Sequence, residues 1–122
     1  MLISIETRIS PTEDSDRVRQ AIQYFFPDAA EGENREGGFV MTSKDIRPLL
    51  TRILEQKIRD AARGVLLKAV REDRIIFHLN KQAAHSGRVN FTDGNSPLGD
   101  LKVSFCIDEP EEWIHKKLGR PE

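Results

Sequence analysis

The spacing of apolar residues changes period along this chain, and these changes constrain its fold more than any other feature. Residues 2–10 place Ile3, Ile5 and Ile9 on one face, which is the alternation of a half-buried strand. The same alternation recurs in three later segments, residues 74–80, 88–92 and 101–107. Residues 18–26 are instead apolar at helical spacing. A chain that mixes the two periods in this way is predicted to be an α+β protein.

The first two helical regions are predicted from their apolar stripes and their end signals. The first begins at Ser10, its predicted N-cap, with Glu13 at the capping-box position, and it ends before Pro27. The second covers residues 44–71, which is long for a small domain. It forms either one helix or two helices that meet near residues 55–57.

The remaining elements complete the order strand, helix, two strands, one or two helices, three strands and a closing helix. Residues 29–42 supply two short strands and a hairpin loop, and Asp108 caps the closing helix. Turns at Asp93-Gly94 and Pro97-Leu98-Gly99 precede the last strand. We predict one domain over residues 1–122, with helices packed on one face of a largely antiparallel mixed sheet.

The other face of such a sheet can remain open to solvent. Its predicted outward positions are polar and mostly neutral or basic, namely Glu6, Arg8, His78, Asn80, Arg88, Asn90, Thr92, Lys102 and Ser104. No Phe, Tyr or Trp is predicted on this face. A nucleic acid bound there would therefore be held through its backbone and shape rather than by stacked bases.

Composition indicates a protein that stays inside the cell. Of its 122 residues, 38% are apolar and 32% are charged, with a net charge of −1. No apolar run approaches the roughly 18 residues that a membrane-spanning helix needs. The lone Cys106 argues against a disulfide framework and is predicted to be a small packing residue. We expect a cytoplasmic protein without a membrane anchor.

Positive charge is concentrated in the middle of the chain. Residues 44–74 carry 9 basic and 5 acidic groups, whereas residues 1–36 carry 4 basic and 8 acidic groups. On a continuous helix one narrow arc would contain Arg52, Gln56, Arg59 and Arg63, and its cations could bind phosphates. The alternative is a solvated helix face, on which oppositely charged neighbours pair at helical spacing.

A second candidate surface combines amides with cations at the ends of predicted strands. Asn80, Lys81 and Gln82 follow one strand, while Arg88 and Asn90 lie in another. Such groups can hydrogen-bond phosphates, 2′-hydroxyls and base edges of RNA. The alternative is that Asn80 caps a one-turn helix and that the open face is a subunit interface.

No group of residues in the sequence matches a known catalytic or metal-binding pattern. His78, His85 and His115 lack the spacing of a zinc site, and the acidic clusters at residues 13–16 and 108–112 suit helix starts. We therefore predict no catalytic residue, no metal, no cofactor and no small-molecule substrate, and so no enzyme.

Several motifs resemble those of an archaeal protein family that is named for RNA binding and has no established activity. They are Asn80-Lys81-Gln82-Ala83-Ala84, Gly87-Arg88-Val89-Asn90-Phe91 and Ser96-Pro97-Leu98-Gly99, with further matches at residues 10–14 and 60–67. The resemblance implies a fold like the large-subunit ribosomal protein that binds 5S RNA, and a homodimer. The chain departs from the family at its acidic hairpin, residues 31–36, and at His85, where an apolar residue is expected.

Together these observations predict a non-catalytic module that binds structured RNA or a ribosome-related ribonucleoprotein assembly. The predicted phosphate contacts are Arg52, Arg59, Arg63, Lys81, Arg88 and Lys102. The predicted hydrogen-bonding groups are Asn80, Gln82 and Asn90. Two alternatives are a homodimeric structural or protein-interaction module without RNA, and an accessory factor in RNA processing.

Overall fold

The computed structural model describes residues 1–95 and 99–121. The strands are β1 (Ile3–Arg8), β2 (Ala30–Arg35), β3 (Gly38–Ser43), β4 (Val70–Arg71), β5 (Arg74–Asn80), β6 (Phe91–Thr92) and β7 (Asp100–Cys106). The helices are α1 (Ser15–Phe25), α2 (Arg47–Glu55), α3 (Arg59–Lys68), α4 (Lys81–His85) and α5 (Pro110–Leu118). The part of the predicted turn formed by Pro97 and Leu98 lies outside the described residues.

The strands form one sheet in the order β2-β3-β1-β7-β5-β4, with β6 paired to β5. Every pairing among the described strands is antiparallel. The helices cover one face, which confirms the predicted α+β class. The longest ladder joins β5 to β7, with Phe77 opposite Val103 and Leu79 opposite Leu101.

The core lies between the sheet and its helical layer. Its fully buried members include Ile5 and Val103 from the sheet, Ile22 and Phe25 from α1, Ile53 from α2, and Ile114 from α5. Removing each such side chain from water contributes about 1.5–3 kcal/mol. The alternation of buried and more exposed residues along β1 and β7 follows directly from this one-sided packing.

The opposite side of the sheet is here called the open face. Cross-strand register places Glu6 beside Lys102 and Lys102 beside His78, with Ser4, Ser104 and Ile76 forming the adjacent row. Cys106 lies opposite Arg74 at the far end and is exposed. The prediction that Cys106 is a small packing residue is therefore wrong, because its side chain has the same outward parity as Lys102 and is exposed.

The first helix begins later than predicted. Its N-cap is Asp14, whose Oδ1 accepts a hydrogen bond from the Asp16 N–H at 3.0 Å. Ser10 instead opens a turn, in which Glu13 N–H donates to the Ser10 carbonyl at 3.0 Å. The Glu13 side chain does accept from the Ser10 N–H at 2.9 Å, so this half of the expected capping box exists one turn ahead of the helix.

The long helical region consists of two helices, α2 and α3. They are separated by Lys57, whose φ of 59° is left-handed and ends the α2 turn. This settles the alternative that the sequence left open. It also places Arg52 on α2 but Arg59 and Arg63 on α3, so the continuous basic arc does not form.

Smaller differences occur at the edges of the later elements. The strand predicted at residues 88–92 is limited to β6, and α5 begins after Glu109 rather than with an Asp108 cap. Asn80 caps α4, since its Oδ1 accepts from the Ala83 N–H at 2.8 Å, as the capping alternative predicted. None of the helices in the described part of the chain combines the length and apolar character needed to cross a lipid bilayer.

Candidate nucleic-acid interface

Arg63 lies in the interior, at the contact between α3 and α5. Its Nη1 donates to the Leu118 carbonyl at 3.1 Å and its Nη2 donates to Asp60 Oδ1 at 3.0 Å. The residue is only 9% exposed. A guanidinium held in this way satisfies the end of α5 and stabilises the fold. Arg59, one turn earlier, is exposed on the helical layer.

The end of α2 holds the loop between α4 and β6, residues 86–90. Gln56 Nε2 donates to the Val89 carbonyl at 3.1 Å, and Val89 N–H donates to Gln56 Oε1 at 2.7 Å. Arg52 Nη1 donates to the Gly87 carbonyl at 3.4 Å. The side-chain amide thus gives Val89 the donor and acceptor that a neighbouring strand would supply.

This anchoring determines what the loop presents to solvent. Gly87 and Val89 are buried, whereas the alternating residues Arg88 and Asn90 are exposed. The Asn90 carbonyl also accepts from the Asn80 N–H at 2.7 Å, which fixes the loop to the end of β5. Arg88 and Asn90 are therefore carried on a fixed backbone, so little conformational entropy of that backbone is lost when they bind.

Lys81, at the start of α4, is buried rather than available to a ligand. It is 1% exposed, and its Nζ donates to the Arg8 carbonyl at 2.6 Å and to Glu13 Oε1 at 3.2 Å. Burial alone would raise the pKa of the Glu13 carboxyl. The hydrogen bond from Ser10 N–H and the Lys81 ammonium outweigh that effect and hold this pKa below its ordinary value. Gln82, the next residue, is exposed.

Three exposed cations come from segments that meet where β1 and β5 end and β7 begins, namely β1, β7 and the loop that is bonded to the end of β5 through Asn90. They are Arg8, Arg88 and Lys102, here called the basic rim. Within the part of the chain that the structure describes, none of their side chains makes a hydrogen bond or an ion pair. Glu6, beside Lys102, is engaged instead by Arg35 at 2.6 Å. The rim charges are therefore available to an anionic partner.

A cleft of about 170 Å³ lies beside Arg8 and Lys102, two of the three residues of the basic rim. Arg8, Lys102, His78 and Asp100 contribute to its walls. Gly94, with φ of +86°, lies against the His78 ring so closely that an added Cβ would be 3.0 Å from Nε2. Neither oxygen of Asp100 has a hydrogen-bond partner among the described residues.

Sequence reasoning did not identify Gln56 as an anchor or Asp100 as a buried carboxylate. Gln56 shares the helix face of Arg52, which was the only local signal. Asp100 has the outward parity of Lys102 and Ser104, and a charge at such a position is ordinarily solvated. Only the tertiary structure shows that it is nine-tenths buried. Among the described residues, no cluster of His, Cys, Asp or Glu is arranged to hold a metal ion.

Comparison with known proteins finds a family model and relatives that match most of this chain. Residues 2–105 match a family model described as RNA binding. A UPF0201 protein of Methanopyrus kandleri is 39% identical over 123 residues, which cover 90% of this chain and 77% of that relative. A UPF0200/UPF0201 protein of Archaeoglobus fulgidus is 37% identical over 106 residues, 87% of this chain, and the match spans only 33% of that longer relative.

Solved structures give the same result. The crystal structure of a UPF0201 protein from Methanococcus jannaschii has a TM-score of 0.86 at 33% identity, covering 100% of this chain and 96% of that chain. Another UPF0201 crystal structure has a TM-score of 0.90 at 30% identity, covering 98% and 94%. The chain therefore belongs to the archaeal UPF0201 family, for which the matching family model carries the description RNA binding.

Proposed function

We propose that this protein is a non-catalytic module that binds structured RNA at the end of its open face. The observation that carries the proposal is the basic rim. Arg8, Arg88 and Lys102 are exposed, and their side chains have no hydrogen-bond or ion-pair partner in the described structure. The family description supports RNA as the anionic partner.

The rim would act mainly on the RNA backbone. Each phosphate neutralised by Arg or Lys releases condensed counterions, which gives affinity without reading sequence. Asn90, held beside Arg88 on the anchored loop, adds an amide that can bond a 2′-hydroxyl or a base edge. The strand residues described on the open face include no Phe, Tyr or Trp, so extended base stacking contributes little to this binding mode.

The other predicted contacts have different roles in this proposal. Arg63 and Lys81 act through the fold, because both are buried and bonded internally. Arg52 acts by holding Gly87, and Asn80 by capping α4. Gln82 remains an exposed hydrogen-bonding candidate near the rim, and Arg59 remains a candidate for a longer RNA that also reaches the helical layer.

Crosslinking in native cell extract, followed by sequencing of the bound RNA, tests the proposal. The test variant is Arg88→Ala/Lys102→Ala. The matched control is Lys116→Ala/Lys117→Ala, which removes two exposed charges from α5 on the helical layer. We expect the rim variant to lose a defined RNA and the control to keep it.

Titration of that RNA against salt gives the quantitative check. Loss of two phosphate contacts should reduce the slope of log affinity against log salt by about two in the rim variant alone. If both variants lose RNA equally, binding follows net charge and the rim is not the interface. If neither variant changes the slope, the proposed contacts are wrong.

We also propose a ribosome-related ribonucleoprotein setting in the cytoplasm, in which the protein acts as a homodimer. The 5S-RNA-binding resemblance supports the setting. The uncharged row of Ser4, Ser104 and Ile76 on the open face supports the dimer, because small neighbouring side chains leave a flat surface for a second copy.

Light scattering with and without ribonuclease tests the dimer. A doubled mass that persists without RNA and is lost in Ile76→Lys is the expected result. A monomer at every concentration would contradict it. A dimer that persists while no RNA is found by crosslinking would favour the protein-interaction alternative.

A further inference from the structure

We propose that the cleft beside Arg8 and Lys102 is a nucleobase pocket in which the Asp100 carboxylate selects an unpaired guanine; this inference rests on the proposed RNA binding. Asp100 is only 9% exposed, and neither of its carboxylate oxygens has a hydrogen-bond partner in the described part of the chain, residues 1–95 and 99–121. A buried acceptor pair without donors is rare in folded proteins and costly to maintain.

The surroundings of Asp100 contain cations that do not neutralise it. Arg8 and Lys102 help form the same cleft, yet no ion pair joins either of them to Asp100. An Ala at Gly99 would bring its Cβ to 3.7 Å from Lys81 Nζ, but that ammonium is directed to the Arg8 carbonyl and to Glu13. The carboxylate thus lies in a positive environment without a direct bond from it.

The ligand that fits both oxygens must present two N–H donors side by side. Among the RNA bases, guanine does so through its N1 and N2 groups on the Watson–Crick edge. Adenine and cytosine each offer one amino group beside an acceptor, and uracil offers one imino group between two carbonyls. A single carboxylate therefore discriminates in favour of guanine.

Access to the carboxylate requires the cleft walls to move, and the walls allow it. The side chains of Arg8 and Lys102 are long, exposed and not tied by any hydrogen bond within the described residues. When they swing outward they reach the phosphates that flank the inserted base. His78, against which Gly94 packs, forms another wall of the cleft.

The charge around the cleft disfavours other partners for the carboxylate. A guanidinium from another protein would approach between Arg8 and Lys102 and be repelled by both. The other acidic residue among the described residues that line the cleft, Glu6, is already paired with Arg35. An RNA base carries no positive charge of its own and brings phosphates that the rim attracts, so RNA fits this site better than an arginine-containing peptide.

The experiment compares RNA hairpins that differ at one unpaired position. A fluorescein-labelled hairpin with an adenosine loop carries guanosine, inosine or adenosine at the centre of that loop. Inosine keeps the N1 donor and lacks only the N2 amino group. Fluorescence anisotropy is measured with the full chain and with Asp100→Asn, after circular dichroism confirms that the variant is folded.

We expect the native chain to bind the guanosine hairpin about tenfold more tightly than the other two, the effect of one good bidentate contact. In Asp100→Asn this preference should disappear while the adenosine hairpin binds as before. The comparison of guanosine with inosine uses the native chain, so it does not depend on the variant folding.

Three results would overturn the inference. If all hairpins bind equally in a salt-dependent way, RNA binding stands and the guanine pocket is wrong. If no hairpin binds at low salt, and crosslinking also finds no RNA, the proposed function fails with it. If an arginine-containing peptide competes through Asp100, the cleft is a protein site.

Discussion

Two buried charged residues, Lys81 at the start of α4 and Asp100 at the start of β7, lie close together but differ in their hydrogen-bond partners. Lys81 is 1% exposed and donates to a carbonyl and a carboxylate. Asp100 is 9% exposed and accepts from no described residue. They lie at the same end of the β5–β7 pair. Lys81 directly follows Asn80, and Asn80 faces Asp100 in the sheet.

The difference separates a structural charge, Lys81, from one that we propose binds a ligand, Asp100. Lys81 joins β1 to α4 through Arg8, and both to the turn before α1 through Glu13, so its charge is satisfied in the unliganded protein. Asp100 is stable only at a cost that a donor from outside could remove. Both residues are buried; Lys81 has hydrogen-bond partners among the described residues and Asp100 has none.

The largest expected effect on stability comes from removing the Lys81 ammonium. Lys81→Met keeps most of the side-chain volume but removes the ammonium. It removes the ammonium donor from the Glu13 carboxylate, 17% exposed, which keeps the Ser10 N–H, and from the Arg8 carbonyl. We expect the free energy of unfolding to fall by about 3–5 kcal/mol, as measured by urea denaturation at neutral pH.

Lys117→Met on the exposed surface of α5 is the control, and it should change stability by less than about 0.5 kcal/mol. A similar small change in Lys81→Met would mean that the buried ammonium contributes no net stability.

The next largest expected effect is a loss of stability at acid pH, caused by protonation of Glu13. The pKa of Glu13 in the folded protein is below its ordinary value of 4.5, through the Ser10 and Lys81 hydrogen bonds that outweigh burial. The unfolded chain therefore takes up this proton at a higher pH than the folded chain. The stabilisation is complete above the ordinary value and is lost as pH falls through the folded one.

Urea denaturation between pH 6 and pH 3, a range chosen around the ordinary carboxyl pKa, should show this loss. In Lys81→Met the part due to the Lys81–Glu13 pair should be absent, so the two stability curves should converge at low pH. Parallel curves would show that Lys81 does not lower the Glu13 pKa.

The smallest expected effect on stability comes from replacing Asp100. Asp100→Asn removes a buried charge and breaks no hydrogen bond among the described residues. We expect the free energy of unfolding to be unchanged or to rise by up to about 1 kcal/mol. A loss of more than about 1 kcal/mol would reveal an internal partner for Asp100 and remove the contrast with Lys81.

Local periodicity was sufficient to predict most of the fold. β1, β5 and β7 lie where alternation placed them, because one face of each strand packs on the same helical layer. The end of the first helix and the hairpin of β2 and β3 also follow from nearby residues. The start of α1 did not, since Ser10 and Asp14 are both competent caps and the turn at Glu13 decides between them.

The candidate site was less predictable because its determinants are distant in sequence. Lys81 looked like a phosphate contact, but it is buried by partners 73 and 68 residues away. Arg63 is likewise committed to Leu118, 55 residues away. Arg88, Lys102 and Asn90 are each exposed, and their role as RNA contacts stays a prediction. Local patterns could place these residues on a face but could not show which of them would be buried and bonded internally.

The exposed thiol on the open face has a practical consequence for all of these measurements. The sequence contains one cysteine, Cys106, and it lies on the same face as the basic rim, beyond Ser104 and away from the cleft. A maleimide fluorophore will therefore label the native chain at a single site without mutagenesis. Energy transfer from that dye to a labelled RNA end would report on which side of the sheet, and in which direction, the RNA lies.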